Sequence, residues 1–186
     1  MKFIRNTLLG LYVNLFLVIL LIVSLLHGLA KNNMSNLTQD MLVAVVVVSG
    51  VSNVIFAIKN VINTCGLYKR GEYNSLRKHM KVLKLGTIPY FVLNFILYFL
   101  LCLLFFAASR GLIIFTPIPL LLLLPIFFTY LTVLFTSCYG IGLIAIISKE
   151  NSSKRGNLIV HVLLQLCFVL DVVSTIILLI KYKVKP

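Results

Sequence analysis

The sequence predicts an all-α fold: a polytopic transmembrane bundle of five helices with a short basic amphipathic helix on the cytoplasmic side. Three observations predict it. Of 186 residues, 61% are hydrophobic and only 11% charged, where soluble domains carry about 25% charged residues. The hydrophobic residues are gathered into runs instead of being spaced at helical or strand periods, and runs of about 18 or more read as membrane spans. The basic residues lie in short segments beside those runs, where Lys and Arg set orientation and meet anionic headgroups. The whole chain, 1–186, reads as a single integral membrane domain. A net charge of +13 would suggest nucleic acid in a soluble protein; placed beside spans, it points to lipid, and no nucleic-acid partner is expected.

The first span, about 7–29, follows Lys2 and Arg5. Its apolar region exceeds the roughly 7–15 residues of a signal peptide, so a retained helix is expected. The second span is about 41–60. The loop between them, KNNMSNLTQD, holds glycosylation sequons at Asn33 and Asn36, which matter only in a eukaryotic secretory pathway.

The loop leading to the third span contains GEYNSLRKHMKVLKLGTIP. Leu76, Met80 and Leu83 fall on one helical face, and Arg77, Lys78, Lys81 and Lys84 cover much of the rest. That pattern predicts a helix lying on the inner leaflet, with these four residues as anionic-lipid contacts worth on the order of 1 kcal/mol each. Topology anchoring is its plain role; docking of a membrane or cytoplasmic protein partner is the functional alternative.

The third span is about 85–108, and the fourth about 117–148. Thr116-Pro117 suits an N-cap and first helical position. A continuous helix from there to Ser148 would run about 48 Å against about 30 Å of hydrocarbon, so it must tilt, protrude or break. Pro125 and the glycines of YGIG, 139–142, are its weak points. The fifth span is about 158–180.

Twelve basic residues fall on one side: Lys2, Arg5, Lys59, Lys69, Arg70, Arg77, Lys78, Lys81, Lys84, Lys149, Lys154 and Arg155. Five fall on the other: Lys31, Arg110, Lys181, Lys183 and Lys185. The N-terminus and the 61–84 loop are therefore expected in the cytoplasm of a plasma-membrane protein. The tail KYKVKP then lies outside, against the rule; either it is tolerated there or the span count is off by one.

The strings RGEYNSLRKHMKVLKLGTIPYFVLNF, SCYGIGLIAIISKE and LQLCFVLDVVSTI resemble a family of small five-span membrane proteins of Firmicute bacteria. The resemblance covers most of 65–180. It implies a bacterial membrane setting and carries no assigned activity.

Polar residues inside the spans mark the candidate site. Asn14, Asn53, Asn94, Tyr139 and Gln165 fall about 10–14 Å from the cytoplasmic ends, and Asp171 about 20 Å. The candidate intramembrane polar site is Asp171, Asn53, Asn94, Tyr139, Gln165 and His161. A central Asp should face the bundle, either protonated or paired. With no Lys or Arg expected at its depth, its partners should be Tyr139, Asn53, Asn94 or a threonine. Two readings compete: interhelical packing, or a water-filled cavity open to the cytoplasm with Asp171 at its floor.

Enzyme chemistry is not expected. The acids and histidines are scattered, and no P-loop, H-E-x-x-H or G-x-S-x-G is present. Cys65, Cys102, Cys138 and Cys167 lack metal spacing, so no metal or cofactor is expected. The leading function is a non-enzymatic accessory or interaction subunit. The alternatives are a small proton- or cation-coupled carrier or channel using Asp171, and an immunity-type protein against a membrane-active peptide.

Overall fold

A computed structural model describes residues 2–31, 36–110, 118–150, 155–166 and 170–181. Every element among them is a helix: α1 (Lys2–Lys31), α2 (Asn36–Lys69), α3 (Tyr73–Ala108), α4 (Ile118–Thr136), α5 (Cys138–Glu150), α6 (Arg155–Leu166) and α7 (Leu170–Lys181). Four stretches are long and apolar enough to cross a membrane: Lys2–Gly28, Thr38–Lys69, Tyr73–Ala108 and Pro125–Lys149. Their outer faces carry large bare hydrophobics, including Phe16, Val48 and Phe95, each more than 60% exposed. A water-soluble monomer rarely tolerates contiguous apolar surface of this kind.

α1 and α2 pack along each other, and α3 lies against α1. Glycines allow the close approaches. A Cβ on Gly10 would fall 2.1 Å from the Asn53 side chain, and one on Gly86 2.6 Å from Leu8. The α2–α3 turn is a Schellman motif. Gly71 supplies the left-handed residue at φ 67°. Glu72 N–H reaches back to the Leu67 carbonyl at 3.1 Å, and Gly71 N–H to Tyr68 at 3.0 Å.

α3 starts at Tyr73 and runs without a break through the basic stretch. The separate surface helix expected there is absent: Leu76, Met80 and Leu83 are fully buried. Their stripe faces the protein core, where they meet Ile4, Leu67, Leu143, Ile147 and Leu178. This cluster marks one end of the bundle, called the basal end below.

α4 and α5 meet at Ser137. Backbone bonds continue across the joint, from Ser137 N–H to Val133 and from Ile141 N–H to Ser137, both 3.0 Å. The Ser137 hydroxyl also bonds the Val133 carbonyl at 2.8 Å. Such back-bonding bends helices; the helix is interrupted at Ser137, just before YGIG, and runs on through Pro125. The N-cap expected at Thr116-Pro117 lies outside the described residues.

The fifth span is not one helix. His161 Nδ1 lies 3.1 Å from Ser174 Oγ, whereas thirteen residues of straight helix would separate them by about 20 Å. α6 and α7 therefore fold back on each other as a helical hairpin. α7 runs antiparallel to α3: Asp171 meets Lys84, and further on the Leu179 carbonyl accepts from Arg77 Nη2 at 2.7 Å. Arg77 thereby serves one of the last four carbonyls of α7, where a cation is favoured. Lys181 thus ends α7 at the basal end, not at the far end that a fifth span would require.

Candidate functional site

Lys84 sits about 17 Å of helix beyond Tyr73 and is 2% exposed; Asp171, at the start of α7, is 1% exposed. The ammonium and the Asp171 carboxylate form a direct ion pair. Ser137, at the α4–α5 joint, completes the cluster. Lys84 Nζ donates to Ser137 Oγ at 2.8 Å, and Ser137 Oγ lies 3.2 Å from Asp171 Oδ1 and 2.9 Å from the Gln165 carbonyl. Both the α4–α5 joint and the facing ends of α6 and α7 thus meet at one charge pair.

This overturns two expectations. Lys84 is not among the lipid-facing cations, and a cation does lie at the depth of Asp171. The register explains both: Lys84 follows Leu76 and Met80 at four-residue steps, so it belongs to the buried face. Of the other three basic residues, Lys78 and Lys81 are exposed and Arg77 is half-buried.

Tyr139 belongs to a second network and does not reach Asp171. Its hydroxyl donates to Asn60 Oδ1 at 3.1 Å and accepts from Asn63 Nδ2 at 3.0 Å. Asn60 Nδ2 donates in turn to Thr7 Oγ1 at 2.6 Å. The His79 and Tyr139 rings meet edge-on, centroids 5.4 Å apart. Gln165 is fully buried, and neither its amide nitrogen nor its amide oxygen has a partner. It lies against Gly140, where a Cβ would approach the Gln165 amide to 2.4 Å. His161 pairs with Ser174.

Asn53 and Asn94 lie elsewhere. Asn53 Nδ2 donates to the Gly10 carbonyl at 3.0 Å, and Asn94 Nδ2 to Thr129 Oγ1 at 2.9 Å. Both line a cavity of about 500 Å³ between α1, α2, α3 and α4. A cavity was expected, but with Asp171 at its floor; Asp171, Tyr139, Gln165 and His161 are not among its lining residues. The six candidates thus divide among the ion-pair cluster, the Tyr139 network, the hairpin interior and the cavity wall.

Lys84 was expected only as an anionic-lipid contact, and Ser137, Asn60 and Ser174 were not among the site residues expected from sequence. Heptad spacing held a signal for one of them: Thr7 and Asn14 on α1, and Asn53 and Asn60 on α2, repeat every seven residues and share faces. Among the described residues no group of three or more His, Cys, Asp or Glu side chains is placed to hold a metal ion.

No curated protein and no solved structure matches the chain. A family model described as "Family of unknown function (DUF6652)" matches residues 2–184. A match over nearly the whole chain places this all-helical protein in that family, DUF6652.

Proposed function

We propose that the chain is a non-enzymatic, multi-pass protein of a bacterial plasma membrane, acting by binding as an accessory or interaction subunit. The observation that carries this reading is the use made of Asp171. Intramembrane acids commonly mark ion pathways. Here the carboxylate is paired with Lys84, touched by Ser137, buried under the α6–α7 hairpin and separate from the cavity. A carboxylate so engaged organises helices and is poorly placed to exchange protons or cations with water.

In this reading the basal end faces the cytoplasm. Exposed Lys69, Arg70, Lys78 and Lys81 meet anionic headgroups there, and Arg77 divides its guanidinium between that surface and α7. Two assays on one preparation test the assignment. Native electrophoresis of the protein extracted at native expression should show an assembly well above the 20.9 kDa chain in its detergent micelle. Proteoliposomes of the purified chain should show no proton or cation flux above empty vesicles. Flux that disappears in Asp171→Asn, or a chain that migrates alone, would overturn it.

A further inference from the structure

We propose that the cavity between α1, α2, α3 and α4 is a binding site for a neutral single-chain amphiphile, an apolar chain bearing a hydroxyl or amide head. The inference rests on the membrane-embedded reading above and names a ligand class for it.

Shape comes first. The cavity, about 500 Å³, lies in the range of small-molecule sites, about 300–1,000 Å³. Its wall on α2 runs from Val46 to Asn60, about 21 Å of helix. An extended chain fits a space of that length better than a compact solute does.

Chemistry comes second. No charged side chain lines the cavity. A bound ion would have no counter-charge there, and an uncompensated buried charge is strongly disfavoured. The polar groups on the wall are neutral amides and hydroxyls. They include Asn14, Asn53, Asn94, Thr129 and Thr132. A neutral hydroxyl or amide head can exchange hydrogen bonds with such groups, whereas a carboxylate would bring a charge that nothing on the wall compensates.

Gly50 is the third observation. Glycine inside a helix costs about 1 kcal/mol relative to alanine. At Gly10, Gly86, Gly140 and Gly142 the cause is visible, because an added Cβ would come within 3 Å of a neighbouring side chain. Gly50 lines the cavity, yet a Cβ there would meet nothing within 4 Å. The packing of the protein itself leaves this stretch of the α2 wall bare, and a large side chain added there would enter the cavity.

Gly50 also supplies the test, because a side chain added there enters open space. The full chain, in detergent and in nanodiscs, is photolabelled with a diazirine-bearing sixteen-carbon alcohol. Wild type, Gly50→Ala, Gly50→Leu and Gly50→Phe are compared, and helicity is checked by circular dichroism. Saturable labelling should map to peptides of α1, α2 and α4. Gly50→Ala should stay within about twofold of wild type, while Leu and Phe, filling the space, should reduce labelling about tenfold, equivalent to about 1.4 kcal/mol. Unlabelled hexadecanol should compete better than hexadecane or palmitate. Equal labelling of folded Gly50→Leu or Gly50→Phe would overturn the site. Hexadecane or palmitate competing as well as the alcohol would overturn the neutral polar head. Retention of the chain in membranes after alkaline wash tests the membrane reading separately, so the two can fail independently.

Discussion

The Lys84–Asp171 pair decides what these two residues contribute. Removing one member of a buried pair leaves a charge without compensation, at a cost of about 3–5 kcal/mol, whereas replacing both by apolar residues of similar size is often neutral or better. Lys84→Met and Asp171→Leu should therefore each lower the unfolding temperature in detergent sharply. The double variant should recover most of the loss, and the cycle should show a coupling of more than about 1 kcal/mol. Additive losses would mean that the two charges do not meet. That Asp171 faces protein was legible in the sequence, because an acid within a hydrocarbon run has few other options. Its partner was not. The spacing of Leu76, Met80 and Lys84 was visible, but the cluster of cations around Lys84 drew it into a surface pattern. Only packing shows which cation turns inward.

The hairpin of α6 and α7 is the element least visible in the sequence. Residues 158–180 form an apolar stretch of about 34 Å as a helix, matching one crossing of the hydrocarbon, and hydropathy alone cannot distinguish one crossing from two half-length helices. The distinction lies in Gln165, Asp171, Ser174 and Thr175, all buried. In a single lipid-facing span so many polar groups would be hard to shelter. In a hairpin Gln165 turns toward α5, Asp171 toward α3 and Ser174 toward His161 of α6. By contrast the long spans α1, α2 and α3 were legible because their outer faces are continuous hydrocarbon. A chain with its native cysteines replaced and new ones at 161 and 174 should cross-link through a short bifunctional reagent in native membranes. Positions 161 and 174 held about 20 Å apart by one straight helix would give no product, and that result would remove the hairpin.

At the scale of the whole molecule, the hairpin changes the charge balance. With five crossings the tail KYKVKP falls on the face opposite the N-terminus, carrying Lys181, Lys183 and Lys185 with it. With α7 returning to the basal end beside Arg77, the tail is expected on the basal face, together with the twelve cations of the N-terminus and loops, the buried Lys84 excepted. Only Lys31 and Arg110 remain opposite. On that placement the tail would follow the positive-inside rule instead of standing against it. C-terminal fusions provide the measurement. A green fluorescent protein fused after Pro186 should be fluorescent and an alkaline phosphatase at the same position inactive, as expected of a cytoplasmic terminus. Fusions truncated after the third helix, near Ala108, should give the opposite pair. An active phosphatase after Pro186 would place the tail outside, restore the fifth crossing and separate Leu179 from Arg77.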